Sequence, residues 1–170
     1  MDRLWAPWRV KYVTKIIGKS RGACIFCKMA KEKRDSQNLI FLRSELAFAV
    51  LNLYPYNNGH SLVLPFRHVD DLSKLKKTER DDLFSLLLYT KALLQKVLKP
   101  KGFNIGMNLG RAAGAGFPGH LHIHIVPRWQ GDINFMPAVG NTKVVSQSLE
   151  ALYDHLVAAQ KKDSVERRKL

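Results

Sequence analysis

Residues 119–129 read GHLHIHIVPRW, and three of the chain's six histidines fall on alternate positions, 120, 122 and 124. A spacing of two is the period of a β-strand, in which side chains at i, i+2 and i+4 share a face. His120, His122 and His124 are therefore predicted to line one side of a strand, with Leu121, Ile123 and Val126 or its neighbours turned to the core. Packing makes no use of repeated imidazoles, so this face reads as functional. Same-face neighbours on a strand lie about 6.5–7 Å apart and the outer two about twice that. A single zinc ion with bonds of about 2 Å does not gather all three from a straight strand. One nucleophile with two supports is the easier arrangement. Neutral imidazole is a nucleophile near pH 7, and attack on phosphorus gives a phosphoramidate. His122, flanked on both sides, is the best-placed attacker.

The rest of the chain gives this strand a setting. At 170 residues, with 46% hydrophobic and 25% charged residues, it suits one domain with a sizeable core. No apolar run is long enough for a bilayer, and the start, MDRLWAPWRVKYV, lacks the apolar stretch and cleavage site of a signal peptide. The cytoplasm is the expected compartment and no membrane partner is expected. Two cysteines, Cys24 and Cys27, make a single CxxC, which in a reducing compartment points to metal binding or redox chemistry. The net charge of +14 favours anionic partners such as nucleotides or polyphosphates. Many of the basic residues sit in the start and in the tail KKDSVERRKL, which reads as a solvated terminus, so nucleic acid is the less favoured partner.

Residues 1–23 read as an irregular arm anchored by Trp5 and Trp8, and KMAKEKR as a short helix. Strand-length apolar runs follow at Leu39–Leu42, Ala47–Leu51 and Ser61–Phe66, the last two pairing across the turn-forming YPYNNG. The clearest helix is TERDDLFSLLLYTKALLQKVL, with Thr78 as N-cap, an apolar face of Leu83, Leu86, Leu87, Leu93, Leu94 and Val97, and a stop at Pro100 and Gly102. FNIGMNLG and HLHIHIVPR are predicted strands, and Val145–Gln160 a last helix. This order gives an α+β domain, an antiparallel sheet with helices against one face. Between the last two strands, RAAGAGFPG leaves backbone N–H groups at Gly110, Gly114 and Gly116 open to an oxyanion, or is simply a tight turn. Arg111 and Arg128 add positive charge near it, or Arg128 closes a surface strand.

HLHIHIV, together with NGHSLVLPFRHV, resembles the signature of the histidine triad (HIT) superfamily of nucleotide hydrolases and transferases. LWAPWR, CIFC, NLYPYNNGH, MNLGRAAGAG and HIVPRW resemble the branch containing diadenosine tetraphosphate phosphorylases. The likeness spans residues 24–129 and little of the last forty. It implies a HIT domain over 24–140, followed by a C-terminal helix and basic tail over 141–170. It implies that His122 attacks the α-phosphate of an adenine nucleotide or dinucleoside polyphosphate and becomes adenylylated. Water would then release AMP, or inorganic phosphate as co-substrate would release ADP. His124 would assist the leaving group, His60 would join the histidine cluster, and the His120 carbonyl would hold the His122 ring. Asn52 would meet ribose, and Asn108 phosphate, beside Gly114 and Gly116. Many hydrolase members carry Gln where this chain has Gly116, which favours phosphorolysis.

The resemblance also implies a structural zinc ion on Cys24, Cys27, His68 and His120; unliganded thiols and a redox pair are the other readings of the CxxC. A homodimer or larger homo-oligomer through the long helix and adjoining strands is expected. A rival reading from another class is a non-catalytic nucleotide- or RNA-binding module. His155 matches no motif, and Trp129 reads as a packing anchor.

Overall fold

In a computed structural model of the chain, residues 24–132 and 146–167 are described. The arm with Trp5 and Trp8, and Val145 at the predicted start of the last helix, lie outside them. Two short helices, α1 (Ile25–Lys31) and α2 (Asp35–Asn38), lead into strands β1 (Ile40–Arg43), β2 (Ala47–Leu51) and β3 (Ser61–Pro65). A 3₁₀ turn at Leu72–Lys74 precedes the long helix α3 (Lys77–Leu98). Strands β4 (Gly102–Gly106) and β5 (Ile123–Arg128) follow, and α4 (Leu149–Arg167) closes the order. The strands form one antiparallel sheet in the order β1-β2-β3-β5-β4. The α+β architecture read from the sequence is the one observed.

Helix α3 packs on β2 and β3, and α4 packs on α3 and β1. Leu83, Leu86, Leu87, Leu93 and Leu94 are buried on α3, while Leu152 and Leu156 contribute from α4. Phe26 of α1 meets the rings of His120 and His122, so α1 shields the histidine-bearing side. The central strands are covered on both faces, and every residue of β2 and β3 is buried.

Several boundaries differ from the sequence reading for local reasons. Helix α1 begins inside the CxxC, placing Cys27 in its first turn. The long helix starts at Lys77, not after a Thr78 cap: Glu79 reaches back to accept the Lys76 N–H at 2.8 Å and satisfies a donor that the helix leaves open. The last helix begins at Leu149, four residues later than expected, and runs past Gln160 to Arg167. In β5, Ile125 rather than Val126 joins Ile123 in the core, because strict alternation puts Val126 on the side of His124.

The turn before β3 requires its glycine. Gly59 has φ +77°, and a Cβ there would lie 2.4 Å from Leu98 Cδ1 at the end of α3.

Glu79 also accepts from Arg67 Nε and Nη2 at 2.7 and 2.6 Å. The Arg67 guanidinium, hydrogen-bonded to it, holds the Glu79 carboxyl well below the usual range, at about 2. A carboxyl with a depressed folded-state pKa stabilises the fold fully above its unfolded value of about 4.3, and this contribution fades as pH falls toward 2. Glu79→Gln is expected to lower the melting temperature at neutral pH and to flatten its fall between about pH 4.3 and 2. Thermal melts across that window check it; parallel curves for both proteins would contradict it.

Candidate active site and metal cluster

The histidine segment straddles the start of β5. Residues 120–122 lie before the ladder, and His124 is paired to both neighbours, opposite Leu62 of β3 and Gly106 of β4. His122 Nδ1 lies 2.8 Å from the His120 carbonyl, which can only accept, so the proton is on Nδ1 and Nε2 carries the lone pair. Burial pushes the His122 pKa below the ordinary imidazole value, with the bond to the His120 carbonyl opposing. The ring is buried against Phe26, whose own ring meets Phe117 edge-on at 5.1 Å.

His124 has the complementary protonation, set from His60. The Tyr56 backbone N–H donates to His60 Nδ1 at 3.0 Å, so a neutral His60 carries its proton on Nε2. His60 Nε2 lies 2.9 Å from His124 Nδ1 and donates to it. His124 Nδ1 is thereby an acceptor, and the proton of the neutral His124 ring sits on Nε2. His60 is completely buried, with the Tyr56 ring stacked on it at 4.6 Å. Adjacent imidazoles, with centroids 4.9 Å apart, thus hold one lone pair and one N–H.

Both rings line a small cavity of about 60 Å³ together with Asn52, Asn108, Gly114 and Gly116. All seven catalytic and nucleotide-binding positions singled out in the sequence come together here, His60 through its bond to His124. Asn52 Oδ1 accepts the Tyr54 N–H at 3.0 Å, and its Nδ2 lies 3.4 Å from the His60 ring nitrogens. Gly110 and Gly114 take φ of +81° and +86°, which shape the exposed loop carrying Arg111, and the Gly114 N–H is not open to an oxyanion, because it closes a tight turn on the Arg111 carbonyl at 3.0 Å. Arg128 does not reach the cavity: it donates to both carboxylate oxygens of Asp132 at 2.6 and 2.9 Å and to Asn104 Oδ1 at 2.8 Å.

A larger apolar cleft of about 420 Å³ adjoins this cavity, and Phe26, Asn52, Tyr54, Leu62 and Phe117 border both. Ile25, Met29 and Leu53 extend its wall. The sequence reading missed these residues, since nothing in the pattern of α1 separates a cleft wall from ordinary packing. Trp129 is half-buried, and His155 is exposed beside Gln147.

The third histidine faces elsewhere. His120 Nε2 donates to the Pro65 carbonyl at 2.9 Å, turning Nδ1 toward Cys24, Cys27 and His68. Cys24 Sγ and Cys27 Sγ lie 3.4 and 3.5 Å from His120 Nδ1. His68 Nδ1 is 3.3 Å from Cys27 Sγ and 3.4 Å from His120 Nδ1, and all four atoms lie within 4.8 Å of one another. Tetrahedral zinc with bonds of about 2.0–2.3 Å separates its ligands by about 3.3–3.8 Å, so the four atoms fit that geometry and donor set. Burial and the neighbouring Cys24 thiol push the Cys27 thiol upward in pKa. Both cysteines are free thiols.

Comparison with known proteins agrees with this geometry. Residues 33–131 match the HIT domain family. The chain is 39% identical over 155 residues to AP-4-A phosphorylase of Mycobacterium tuberculosis, covering 88% of this chain and 79% of that protein. It is 38% identical over 95 residues to the asymmetrical bis(5'-nucleosyl)-tetraphosphatase of Schizosaccharomyces pombe, covering 56% of this chain and about half, 52%, of that enzyme. Among solved structures, a zinc-bound histidine triad family protein from Mycobacterium smegmatis superposes with a TM-score of 0.67 at 26% identity, over 84% of this chain and 97% of that one. With its triad, its sheet and more than half its length in register with that family, this chain belongs to the HIT domain family.

Proposed function

We propose that this protein cleaves a dinucleoside polyphosphate of the diadenosine tetraphosphate kind at the α-phosphate, through a covalent histidine–AMP intermediate, with inorganic phosphate as the preferred acceptor. The observation that carries the reading is the opposite protonation of His122 and His124 at one cavity wall. The lone pair on His122 Nε2 forms the N–P bond as the bond from Pα to the leaving-group oxygen breaks. His124 Nε2–H donates to that departing oxygen. A phosphate oxygen then attacks Pα, the P–N bond breaks and ADP leaves; water in its place gives AMP. Asn108 and the Gly116 backbone line the cavity where the α-phosphate oxygens would gather charge. The apolar cleft takes the nucleoside, with Asn52 between the two compartments at the height of the ribose. The name of the tuberculosis relative supports the phosphorolytic route, and that of the fission-yeast relative keeps hydrolysis as the alternative.

Zinc on Cys24, Cys27, His68 and His120 has a structural task in this reading. Four protein ligands leave no open position for substrate, and the ion ties α1 to the root of β5. The thiolates it needs fit a reducing compartment, the cytoplasm.

A second copy of the chain is the partner suited to the sheet edge. Among the described residues β4 has no strand on its outer side, and it exposes Ile105 there. Helix α3 exposes Phe84 and, one turn on, Leu88 at 66%. The proposed assembly is a homodimer.

Four measurements test these statements. Intact mass after mixing with diadenosine tetraphosphate is expected to show one added adenylyl group. His122→Asn should abolish the adduct and lower turnover by about 10³-fold or more; binding without adduct or turnover would instead favour a nucleotide-binding module. With phosphate present ADP should be the mononucleotide product, and its absence would overturn phosphorolysis. Metal analysis should find one zinc per chain, and chelation should lower the melting temperature; a metal-free protein with an unchanged melt would defeat the zinc assignment. Sedimentation should give twice the chain mass, reduced to one by Leu88→Glu with Ile105→Glu; a monomeric wild type would refute the dimer.

A further inference from the structure

The turn after β5 carries a buried carboxylate that lies outside the cavity and takes no part in the steps above. The Asp132 side chain is 9% exposed. Besides both donors from Arg128, it accepts the Trp129 N–H at 3.1 Å and Asn57 Nδ2 at 2.8 Å. Asn57 lies 75 residues earlier, in the YPYNNG segment, and is buried. Its amide nitrogen also donates to the Pro127 carbonyl at 3.0 Å. Both partners of that nitrogen only accept, so its two hydrogens are used and the amide orientation is fixed.

Asn57 is the hinge of the turn that presents His60. Its own carbonyl accepts the His60 N–H at 3.1 Å. Its neighbour Tyr56 supplies the N–H that keeps the lone pair on His60 Nδ1. A continuous path therefore runs from Asp132 to Asn57, through the backbone of residues 56–60, to the His60 ring and on to His124 Nδ1. Without the anchor, the Tyr56 N–H is no longer held over His60 Nδ1, and that ring can carry its proton on either nitrogen. His124 then loses its reason to keep the proton on the nitrogen facing the leaving group.

We propose that Asn57 and Asp132 form a positioning pair which, by fixing the turn at residues 56–60, makes His60 the donor to His124 and so makes His124 the proton donor in the reaction. The inference rests on the reading given under Proposed function, and its test separates the two. Nitrogen-15 NMR of the histidine rings reports the tautomers without any substrate. Wild type is expected to show single tautomers with the proton on Nε2 for both His60 and His124. Asn57→Ala and Asp132→Asn are expected to show averaging between tautomers at both rings, with His122 unchanged. Single, unaltered tautomers at His60 and His124 in both variants would overturn the proposal.

Kinetics supply the second measurement. With diadenosine tetraphosphate, kcat should fall by about 10- to 100-fold while KM stays within about 2-fold. The p-nitrophenyl ester of AMP, whose leaving group departs as an anion, should lose less. Equal losses on both substrates, or a loss confined to KM, would also overturn it, as a general loosening of the fold. Melting curves of the two variants show whether each folds, and Asp132→Asn preserves shape if Asn57→Ala does not. If wild type forms no adenylyl adduct, the covalent mechanism fails, while the ring spectra still decide whether the pair sets the tautomers.

Discussion

The bond from His122 Nδ1–H to the carbonyl of its neighbour's neighbour, His120, is the interaction on which the site depends. It spends one ring nitrogen on the backbone and leaves the other with a lone pair, in a ring too buried to take up charge easily. The position of that carbonyl is set in turn by the His120 side chain, which is held between the Pro65 carbonyl and the Cys/His cluster. One residue thus serves two centres, its imidazole in one and its backbone in the other. The alternation that looks like repetition in the sequence sets three rings apart: one faces the Cys/His cluster, one keeps its lone pair on Nε2, and one carries its proton there.

Helix α1 joins the same two centres from the other side. Its first turn holds Cys27, and between the cysteines it places Phe26 against His120 and His122. Its outer residues, Ile25 and Met29, continue into the wall of the apolar cleft. The far end of the helix is held by Arg43, which donates to the Ala30 and Glu32 carbonyls and, through two nitrogens, to Asp35. Seven residues suffice for this role because both ends are tied down by contacts outside the helix.

What the sequence disclosed follows from the range of each interaction. The strand period of His120, His122 and His124, the apolar stripe of α3 and the β2–β3 pairing are local patterns, and each was legible. The start of α3 was misplaced because Thr78 is a better cap by type, whereas Glu79, three residues after Lys76, makes the bond that counts. Of Val126 and its neighbours, strict alternation selects Ile125 for the core. The Cys24, Cys27, His68 and His120 grouping was legible only through family resemblance, since spacing alone joins just the two cysteines. Nothing local pointed to Asn57 and Asp132, whose contact spans 75 residues and belongs to no periodic pattern. Of the two sequence readings of Arg128, the structure takes the strand-end one, and its partner Asp132 is a loop residue that no motif announces.

The place where the ladder begins has a further consequence. Pairing starts at Ile123, so the whole stretch 107–122, from the end of β4 through His122, is free of strand partners. That stretch carries Asn108 and the glycines of the cavity, and it is anchored at its far end by the His120 side chain and by the bond from Leu121 N–H to the Val69 carbonyl. The part of it ahead of His120 can therefore change in length without shifting the register of any strand. The loop residues that border the cavity are thus mechanically separate from the His120 carbonyl that fixes the His122 ring.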